Sequence, residues 1–257
     1  MTKKTDGAMT QPQFYKKVVA LSEKGHAGWR IKPEANYEFA KNTNAVLVTA
    51  VEFSLLAQEY PLVFINRDDA GKSIQPVAVL GLKPEQNLFL DDKAGWDAQY
   101  IPAYVRRYPF ILAGDAASSD TTYTVCIDES FTGFNRQQGV ALFTAEGKHS
   151  AHLEQVITFL KDFQSQSKIT EQFCSHLMKL DLLEPMQANI ASVDGEKFSV
   201  AGFMVISRER LKARKPLELA QLVKTDEMGL IYQHLASLDN FKKLTRRLAN
   251  LQLAEAS

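Results

Sequence analysis

Residues 45–65 have the sequence AVLVTAVEFSLLAQEYPLVFI, the most apolar stretch of the chain. Residues 45–51 and 61–65 are short runs rich in β-branched and aromatic side chains, a composition typical of buried strands. The segment 53–59 between them is rich in helix formers, and Pro61 ends it. Glu52, Gln58 and Glu59 interrupt the window, and carboxylates are costly near the centre of a bilayer. The stretch therefore predicts two strands around a helical turn, with no membrane span.

The strand pattern continues on the C-terminal side of this window. Short apolar runs at 76–82, 87–90, 110–113, 123–127 and 139–144 are separated by turn residues, so we expect further strands there. They predict a mixed or antiparallel sheet in the N-terminal half.

The N-terminal side of the window carries weaker signals. Phe14, Val18, Val19 and Leu21 predict one short amphipathic helix. Residues 1–12 are polar and lack apolar anchors, which predicts a mobile tail.

Helical periodicity dominates after Gly147. Ser150 is a typical N-cap residue, and apolar residues recur at helical spacing over 153–163 and, after a short break, over 169–180. This pattern predicts a helical hairpin. Residues 186–193 and 197–207 are strand-like, and the Asp194-Gly195 pair between them indicates a β-hairpin.

Leucine-rich segments from residue 217 onward predict terminal helices with an interruption near Gly229. Strands followed by helices with one late hairpin are typical of an α+β fold. No linker rich in Pro, Gly or Ser divides the chain, so we expect residues 13–257 to form a single unit. The alternative is a division into sub-lobes at 31–146 and 147–257.

Composition restricts the classes of partner. The chain has 257 residues, with 30 Lys and Arg against 30 Asp and Glu. Binding to nucleic acid or to an anionic membrane requires a basic excess, so neither partner is expected.

No apolar run follows the positive charges near the start, and the two cysteines, Cys126 and Cys174, form no CxxC motif. We therefore expect a cytoplasmic protein without a secretory signal.

Motifs that carry catalytic chemistry are missing from the sequence. Gly71-Lys72-Ser73 resembles the end of a phosphate-binding loop, but Asn66 stands where that loop needs a glycine. The patterns GxSxG, HExxH and GxGxxG do not occur. The sequence predicts no catalytic constellation and no cofactor.

Two candidate clusters have ordinary structural explanations. His149 and His152, with Glu154 nearby, have a spacing at which two imidazoles can share a metal. They precede a helix and lack a His-x-Asp/Glu motif, so a solvated helix entry and no metal are expected. Two carboxylates follow Cys126 and disfavour its thiolate, so a buried structural thiol is expected.

The densest aromatic segment, residues 96–110, supplies the candidate ligand-binding site. Tyrosines recur there every four residues, and two adjacent arginines lie between the last two of them. A guanidinium group binds carboxylate or phosphate through paired hydrogen bonds, and tyrosines supply rigid contact area. The alternative is a helix whose tyrosines cover the sheet while one arginine pairs with a buried acid. The predicted ligand-binding residues are Trp96, Tyr100, Tyr104, Arg106, Arg107 and Tyr108.

Several segments resemble the SapC family. They are Glu52-Phe53, EYPLVF at 59–64, PVAVLGL at 76–82, YIPAYVRRYPF at 100–110 and HLASLDN at 234–240. The tyrosine–arginine stretch is the most specific of them. The resemblance implies a bacterial protein associated with surface-layer secretion loci, and in Gram-negative bacteria with genes near flavin-dependent tryptophan halogenases. It implies no catalytic residues.

Three functional hypotheses follow. The first is a non-catalytic protein that binds a peptide or protein partner at residues 96–110. The second is an enzyme that modifies a peptide or amino acid with the two arginines as anion clamps. Its other candidate groups are Tyr104, Tyr108, His149, His152 and Cys126. The third is a structural homo-oligomer that pairs through the leucines of the last helix.

Overall fold

A computed structural model describes residues 13–32, 36–68, 70–114, 123–191 and 197–255. The strands are β1 (Val18–Ala20), β2 (Arg30–Ile31), β3 (Ala45–Leu47), β4 (Leu62–Asn66), β5 (Ile74–Val79), β6 (Phe110–Ala113), β7 (Thr124–Asp128), β8 (Phe134–Asn135), β9 (Val140–Ala141), β10 (Leu183–Ala191) and β11 (Lys197–Ile206). The helices are α1 (Glu23–His26), α2 (Phe53–Leu56), α3 (Ala103–Arg106), α4 (Ala151–Lys179), α5 (Arg208–Lys212), α6 (Pro216–Lys224), α7 (Glu227–Ser237) and α8 (Phe241–Glu255). Antiparallel sheets and helices together confirm the predicted α+β class.

The residues group into two compact units that alternate along the chain. The first unit comprises Met1–Glu34 and Arg107–Lys161, and the second comprises Ala35–Arg106 and Asp162–Ser257. These boundaries differ from the sub-lobes at 31–146 and 147–257 that the sequence suggests. The expectation of one folding unit over 13–257 stays a prediction, and the expected tail at 1–12 lies outside the described residues.

The first unit contains two three-stranded antiparallel sheets, in the orders β1-β7-β6 and β8-β2-β9. One apolar core lies beneath them, and the first turns of α4 contribute three of its side chains. Its buried members are Ile31, Phe110, Ile127, Leu142, Phe143, Leu153, Ile157 and Leu160. Burial of this apolar surface is the main stabilising contribution within the unit.

The second unit is built on a five-stranded antiparallel sheet in the order β10-β11-β4-β5-β3. Residues 62–64 of β4 are buried without alternation, which is typical of a central strand covered on both faces. The β-hairpin predicted in the C-terminal half is confirmed by the pairing of β10 with β11. Its turn at Asp194-Gly195 lies outside the described residues.

Polar side chains of the HLASLDN segment attach α7 and the turn after it to this sheet. The buried His234 accepts a hydrogen bond at Nε2 from the backbone N–H of Ile206, at 3.0 Å. Ser237 Oγ accepts one from the backbone N–H of Leu62 at 3.0 Å, and Asn240 Nδ2 donates to the Tyr60 carbonyl at 3.1 Å. Each of these hydrogen bonds satisfies a backbone group in a strand or just before one. The HLASLDN segment, which is one of those that resemble the SapC family, therefore has a structural role.

The predicted helical hairpin after Gly147 is wrong, because α4 is one continuous helix of 29 residues. The polar stretch 164–168 suggests a break, but it contains neither glycine nor proline. The hydroxyl groups of Ser167 and Thr170 instead donate to backbone carbonyls four residues earlier in the helix, those of Phe163 at 2.8 Å and Gln166 at 2.7 Å. Such bonds allow hydroxyl residues to remain inside a helix.

Other local predictions also need correction. The helix expected around Val18 and Val19 is strand β1, because it pairs antiparallel with β7 and places Val18 opposite Asp128. Residues 87–90 form no strand apart from an isolated bridge between Leu90 and Trp96. Gly229 lies inside α7, and the interruption falls instead at 225–226.

Candidate functional site

The predicted ligand-binding segment is divided by the boundary between the two units. Trp96, Tyr100, Tyr104 and Arg106 belong to the second unit, whereas Arg107 and Tyr108 belong to the first. The two groups therefore have separate surroundings.

Tyr100 is held by a buried carboxylate. Its hydroxyl donates to Oε1 of Glu52 at 3.0 Å, and the same oxygen accepts from the backbone N–H of Ala103 at 2.7 Å. The other oxygen, Oε2, accepts from the backbone N–H and the hydroxyl of Thr49, at 2.8 and 2.9 Å. Glu52 is 3% exposed, and four hydrogen bonds offset the cost of burying its polar oxygens.

Arg106 lies over this network on the solvent side. Its Nη2 donates to the Tyr100 hydroxyl at 2.9 Å and its Nε to the carbonyl of Ile101 at 2.9 Å. The guanidinium carbon lies 5.2 Å from the centre of the Tyr100 ring. Arg106 is exposed, and these contacts fix the direction of its cationic group.

Burial and the Glu52 charge raise the pKa of Tyr100 to about 12, although Arg106 acts in the opposite direction. The phenol is consequently protonated near neutral pH. It donates to the carboxylate of Glu52 and accepts from Arg106, which makes a continuous chain of three side chains.

Trp96 and Tyr37 extend the aromatic surface. Trp96 Nε1 donates to the hydroxyl of Tyr60 at 2.8 Å, and that hydroxyl donates to the Tyr100 carbonyl at 2.7 Å. The rings of Tyr37 and Trp96 meet edge to face with centroids 5.5 Å apart. We refer to Tyr37, Trp96, Tyr100 and Arg106 as the Tyr100 patch; its three aromatic residues are half-buried.

A second arginine contacts a ring that lies against this patch. The guanidinium carbon of Arg247 lies 4.4 Å from the centre of the Phe89 ring, and its Nη2 donates to the carbonyl of Asp97 at 2.8 Å. Arg247 also forms an ion pair with the Asp97 carboxylate. The Phe89 ring stacks on Tyr60 at 4.4 Å and lies parallel to Trp96 at 6.5 Å. These contacts restrict the motion of the rings.

Tyr104 is not part of this surface. It is 3% exposed, and its ring packs at 6.4 Å from Phe163. The alternative interpretation, in which a tyrosine covers the core, therefore describes Tyr104.

Arg107 and Tyr108 pack in the first unit. The Tyr108 ring meets Tyr15 edge to face at 5.2 Å, and the Arg107 guanidinium carbon lies 5.8 Å from the centre of the Tyr15 ring. The Tyr108 hydroxyl donates to Oδ2 of Asp128 at 3.2 Å. Burial, together with the Asp128 charge, raises the pKa of Tyr108 well above its ordinary value. A phenol with a raised pKa is a poor proton donor near neutral pH.

The remaining candidate groups have surroundings that do not activate them. Cys126 is buried, and burial raises the pKa of its thiol. His149 pairs with Glu154 at 2.8 Å on the surface, and burial lowers the pKa of the neighbouring His152.

The described residues offer neither a metal site nor a membrane helix. Within the ranges that the structure describes, no group of three or more His, Cys, Asp or Glu side chains could hold a metal ion. Every helix in those ranges is too short or too polar to cross a bilayer.

Sequence reasoning missed Tyr37, Glu52, Tyr60 and Arg247. Glu52 and Tyr100 are 48 positions apart, and Arg247 and Asp97 are 150 apart, so no local spacing connects them. The one usable signal was that Glu52 interrupts an apolar run, because a carboxylate in such a run needs partners when it is buried.

Comparison with known proteins gives a family match over most of the chain. The family model described as SapC matches residues 21–244. Neither the curated proteins nor the solved structures give a match. The matched range includes all four residues of the Tyr100 patch.

Proposed function

Since the chain belongs to the SapC family, we propose that it is a non-catalytic accessory protein that binds a peptide or protein partner. The observation that carries the proposal is the Tyr100 patch. There, an exposed guanidinium group adjoins half-buried aromatic side chains that are hydrogen-bonded from behind. Aromatic residues and arginine are the types enriched at the energetic centres of protein interfaces.

The chemistry of the patch indicates the kind of segment that it binds. Tyr37 and Trp96 offer rigid apolar area with little side-chain entropy to lose. The planar cation of Arg106 favours a carboxylate, which a peptide supplies from an acidic side chain or its C-terminus. We therefore propose a segment in which an apolar side chain stands next to a carboxylate.

The test is a selection of random displayed peptides on the full chain, followed by titration of synthetic copies. Arg106→Ala removes the cation, and Arg246→Ala removes an exposed arginine that lies outside the patch and serves as the matched control. We expect Arg106→Ala to weaken binding at least about tenfold and Arg246→Ala to change it less than about twofold. Failure to select any peptide, or equal binding by Arg106→Ala, would reject the proposal.

A complementary peptide series separates the two contributions. Replacing the peptide carboxylate by an amide should weaken binding to the wild-type chain and leave binding to Arg106→Ala nearly unchanged. If amidation weakens both proteins equally, the carboxylate is bound elsewhere.

We also propose that the protein acts in the bacterial cytoplasm on a partner connected with peptide metabolism or the surface layer. The family resemblance, including its association with halogenase genes, supports this assignment. Fractionation of cells that produce a tagged full chain tests it: recovery with the envelope fraction instead of the cytosol would contradict it.

Self-association is a second candidate because α8 exposes two leucines. Leu251 and Leu253 are 42% and 62% exposed, whereas Leu244 and Leu248 are buried within the chain's own fold. Light scattering over a range of concentrations should show a mass increase that Leu251→Ser with Leu253→Ser abolishes. A constant monomer mass would reject the oligomer.

A further inference from the structure

A concave site lies within the first unit. It is an open pocket of about 260 Å³ lined by Trp29, Glu129, Phe131, Phe134, Asn135 and Arg136. None of these residues belongs to the Tyr100 patch or to the segment 96–110. The chemistry of this pocket is therefore independent of the function proposed above.

Aromatic rings form its walls, and contacts with their neighbours hold them. The Phe134 ring lies 5.3 Å from Trp29 and meets Phe131 edge to face at 5.4 Å. Trp29 is in turn held edge to face by His26 at 4.9 Å, and Phe134 by Phe110 at 6.1 Å. Rings held at steep angles to each other leave a preformed space for an apolar group.

Glu129 supplies a negative charge to the pocket. One of its oxygens lies 2.6 Å from Nζ of Lys17 and the other 3.4 Å from Nε2 of His26. The Lys17 hydrogen bond and charge lower the pKa of Glu129, so the carboxylate is ionised near neutral pH. Lys17 has a 67% exposed side chain, and such an exposed ion pair contributes little, so a ligand cation can share this carboxylate.

Arg136 supplies a positive charge from a turn that is fixed by its neighbour. Asn135 Oδ1 accepts from the backbone N–H groups of Gln137 at 2.9 Å and Gln138 at 2.7 Å. Arg136 itself is exposed, and it has no ion-pair partner in the part of the chain that the structure describes. Its guanidinium group is available to a carboxylate.

The two charges restrict the ligand. Glu129 attracts a cationic group and repels an anionic one, and Arg136 does the reverse, so a ligand that carries both charges gains attraction from both residues. A volume of 260 Å³ is below the roughly 300–1,000 Å³ of pockets for drug-sized ligands. A small zwitterion with an apolar side chain satisfies both the charges and the size.

We propose that this pocket binds a free amino acid with an apolar side chain. The ammonium group lies at Glu129, the carboxylate at Arg136 and the side chain between the rings of Trp29, Phe131 and Phe134.

The test is calorimetric titration of the full chain with three probes. L-phenylalanine carries both charges, L-phenylalaninamide lacks the carboxylate and N-acetyl-L-phenylalanine lacks the ammonium group. We expect L-phenylalanine to bind at least about tenfold more tightly than either derivative. No measurable binding of L-phenylalanine, or equal binding of the three probes, would overturn the proposal.

Variants assign each charge to its residue. Arg136→Ala should bind L-phenylalanine and its amide equally, and Glu129→Gln should bind L-phenylalanine and its N-acetyl derivative equally. Lys148→Ala and Glu146→Gln change exposed charges of the same unit outside the pocket and should retain both preferences. If Arg136→Ala still binds L-phenylalanine more tightly than the amide, the carboxylate does not lie at Arg136. If Glu129→Gln still binds L-phenylalanine more tightly than the N-acetyl derivative, the ammonium group does not lie at Glu129.

The dipeptide glycyl-L-phenylalanine distinguishes a free amino acid from a peptide terminus. It keeps both charges but separates them further. Weaker binding of the dipeptide supports a free amino acid. Tighter binding would show that the pocket holds the end of a peptide and would overturn the proposal as stated.

Discussion

The Tyr100 hydroxyl donates a hydrogen bond to the buried carboxylate of Glu52 across 48 positions of sequence, at 3.0 Å. The same oxygen of Glu52 accepts from the backbone N–H at the start of α3, so one carboxylate fixes both an aromatic side chain and a helix. A single buried acid thus determines the direction in which Arg106 is presented.

Tyr100→Phe should destabilise the chain while leaving its fold intact. The substitution removes a hydrogen bond to a carboxylate and leaves a buried oxygen of Glu52 with one partner fewer, so we expect a loss of about 1.5–3 kcal/mol in the free energy of unfolding. Urea unfolding at neutral pH measures this quantity. Tyr232→Phe, at a tyrosine that is 49% exposed, is the control and should change it by less than about 0.5 kcal/mol. Equal effects of the two substitutions would show that the Glu52 bond contributes nothing.

Asp128→Asn should lower stability at neutral pH and lose its effect in acid. Burial opposes ionisation of Asp128, but hydrogen bonds from the Ser130 side chain and from the backbone of Lys16, Lys17 and Ser130 outweigh it and lower the pKa of the carboxyl. In the variant, an amide group replaces an oxygen that accepts from the Lys16 N–H at 2.8 Å, so one donor faces another. We expect a loss of about 1–3 kcal/mol at pH 7.

The sign of the pH dependence follows from the lowered pKa of Asp128. The unfolded chain binds the proton more readily, so the stabilisation is complete above the ordinary pKa of aspartate and is lost as the pH falls through the lower value. The unfolding free energies of the two proteins should therefore begin to converge below about pH 4 and should meet only below the lowered pKa of Asp128. A difference that persists unchanged into acid would contradict this account.

The sequence predicts those parts of the fold that depend on short-range pattern. The apolar runs around Val63 and Val77 correspond to β4 and β5, because burial on both faces leaves a continuous apolar signature. The sequence predicts a helix in place of β1 because Val18 and Val19 fit either periodicity, and only their pairing with β7 decides between them. Such pairings involve residues that are distant in sequence.

The candidate site is likewise predictable only where it depends on short-range pattern. Composition indicates that Trp96, Tyr100 and Arg106 lie in a segment rich in aromatic and cationic groups. It does not distinguish them from Tyr104, whose ring is buried, because burial depends on which side of a single helical turn faces the core. Tyr37 joins the patch through a tertiary contact that has no local signal.

His234 should make the stability depend on pH in a higher range than Asp128 does. The side chain is fully buried and accepts a hydrogen bond from Ile206, and burial lowers its pKa from 6.5 to about 3. The unfolded chain binds a proton between these values and the folded chain does not, so stability decreases as the pH falls from 6.5 towards 3. The slope from this group approaches about 1.4 kcal/mol per pH unit.

His234→Gln keeps an acceptor for the Ile206 N–H and removes the titration. The wild-type chain should be more stable at pH 7, and the difference should narrow steadily between about pH 6.5 and 4. His149→Gln alters an exposed imidazole and serves as the control, which should follow the wild-type curve. A constant difference between His234→Gln and wild type across this range would show that His234 does not remain neutral in the folded chain.

Gly139→Ala should be among the most damaging single-methyl additions in the first unit. Gly139 has a φ of 93°, and a Cβ there would lie 2.2 Å from the carbonyl oxygen of Ile31, which belongs to β2. Gly28→Ala is a matched control, because Gly28 also has a positive φ of 73° but no neighbouring atom lies within 4 Å of the place that its added methyl group would take. We expect about 1 kcal/mol of destabilisation at Gly28 from backbone strain alone. At Gly139 we expect about 1–3 kcal/mol more, because of the clash. Equal losses at the two positions, measured by urea unfolding, would mean that the loop before β9 moves away from β2 without cost.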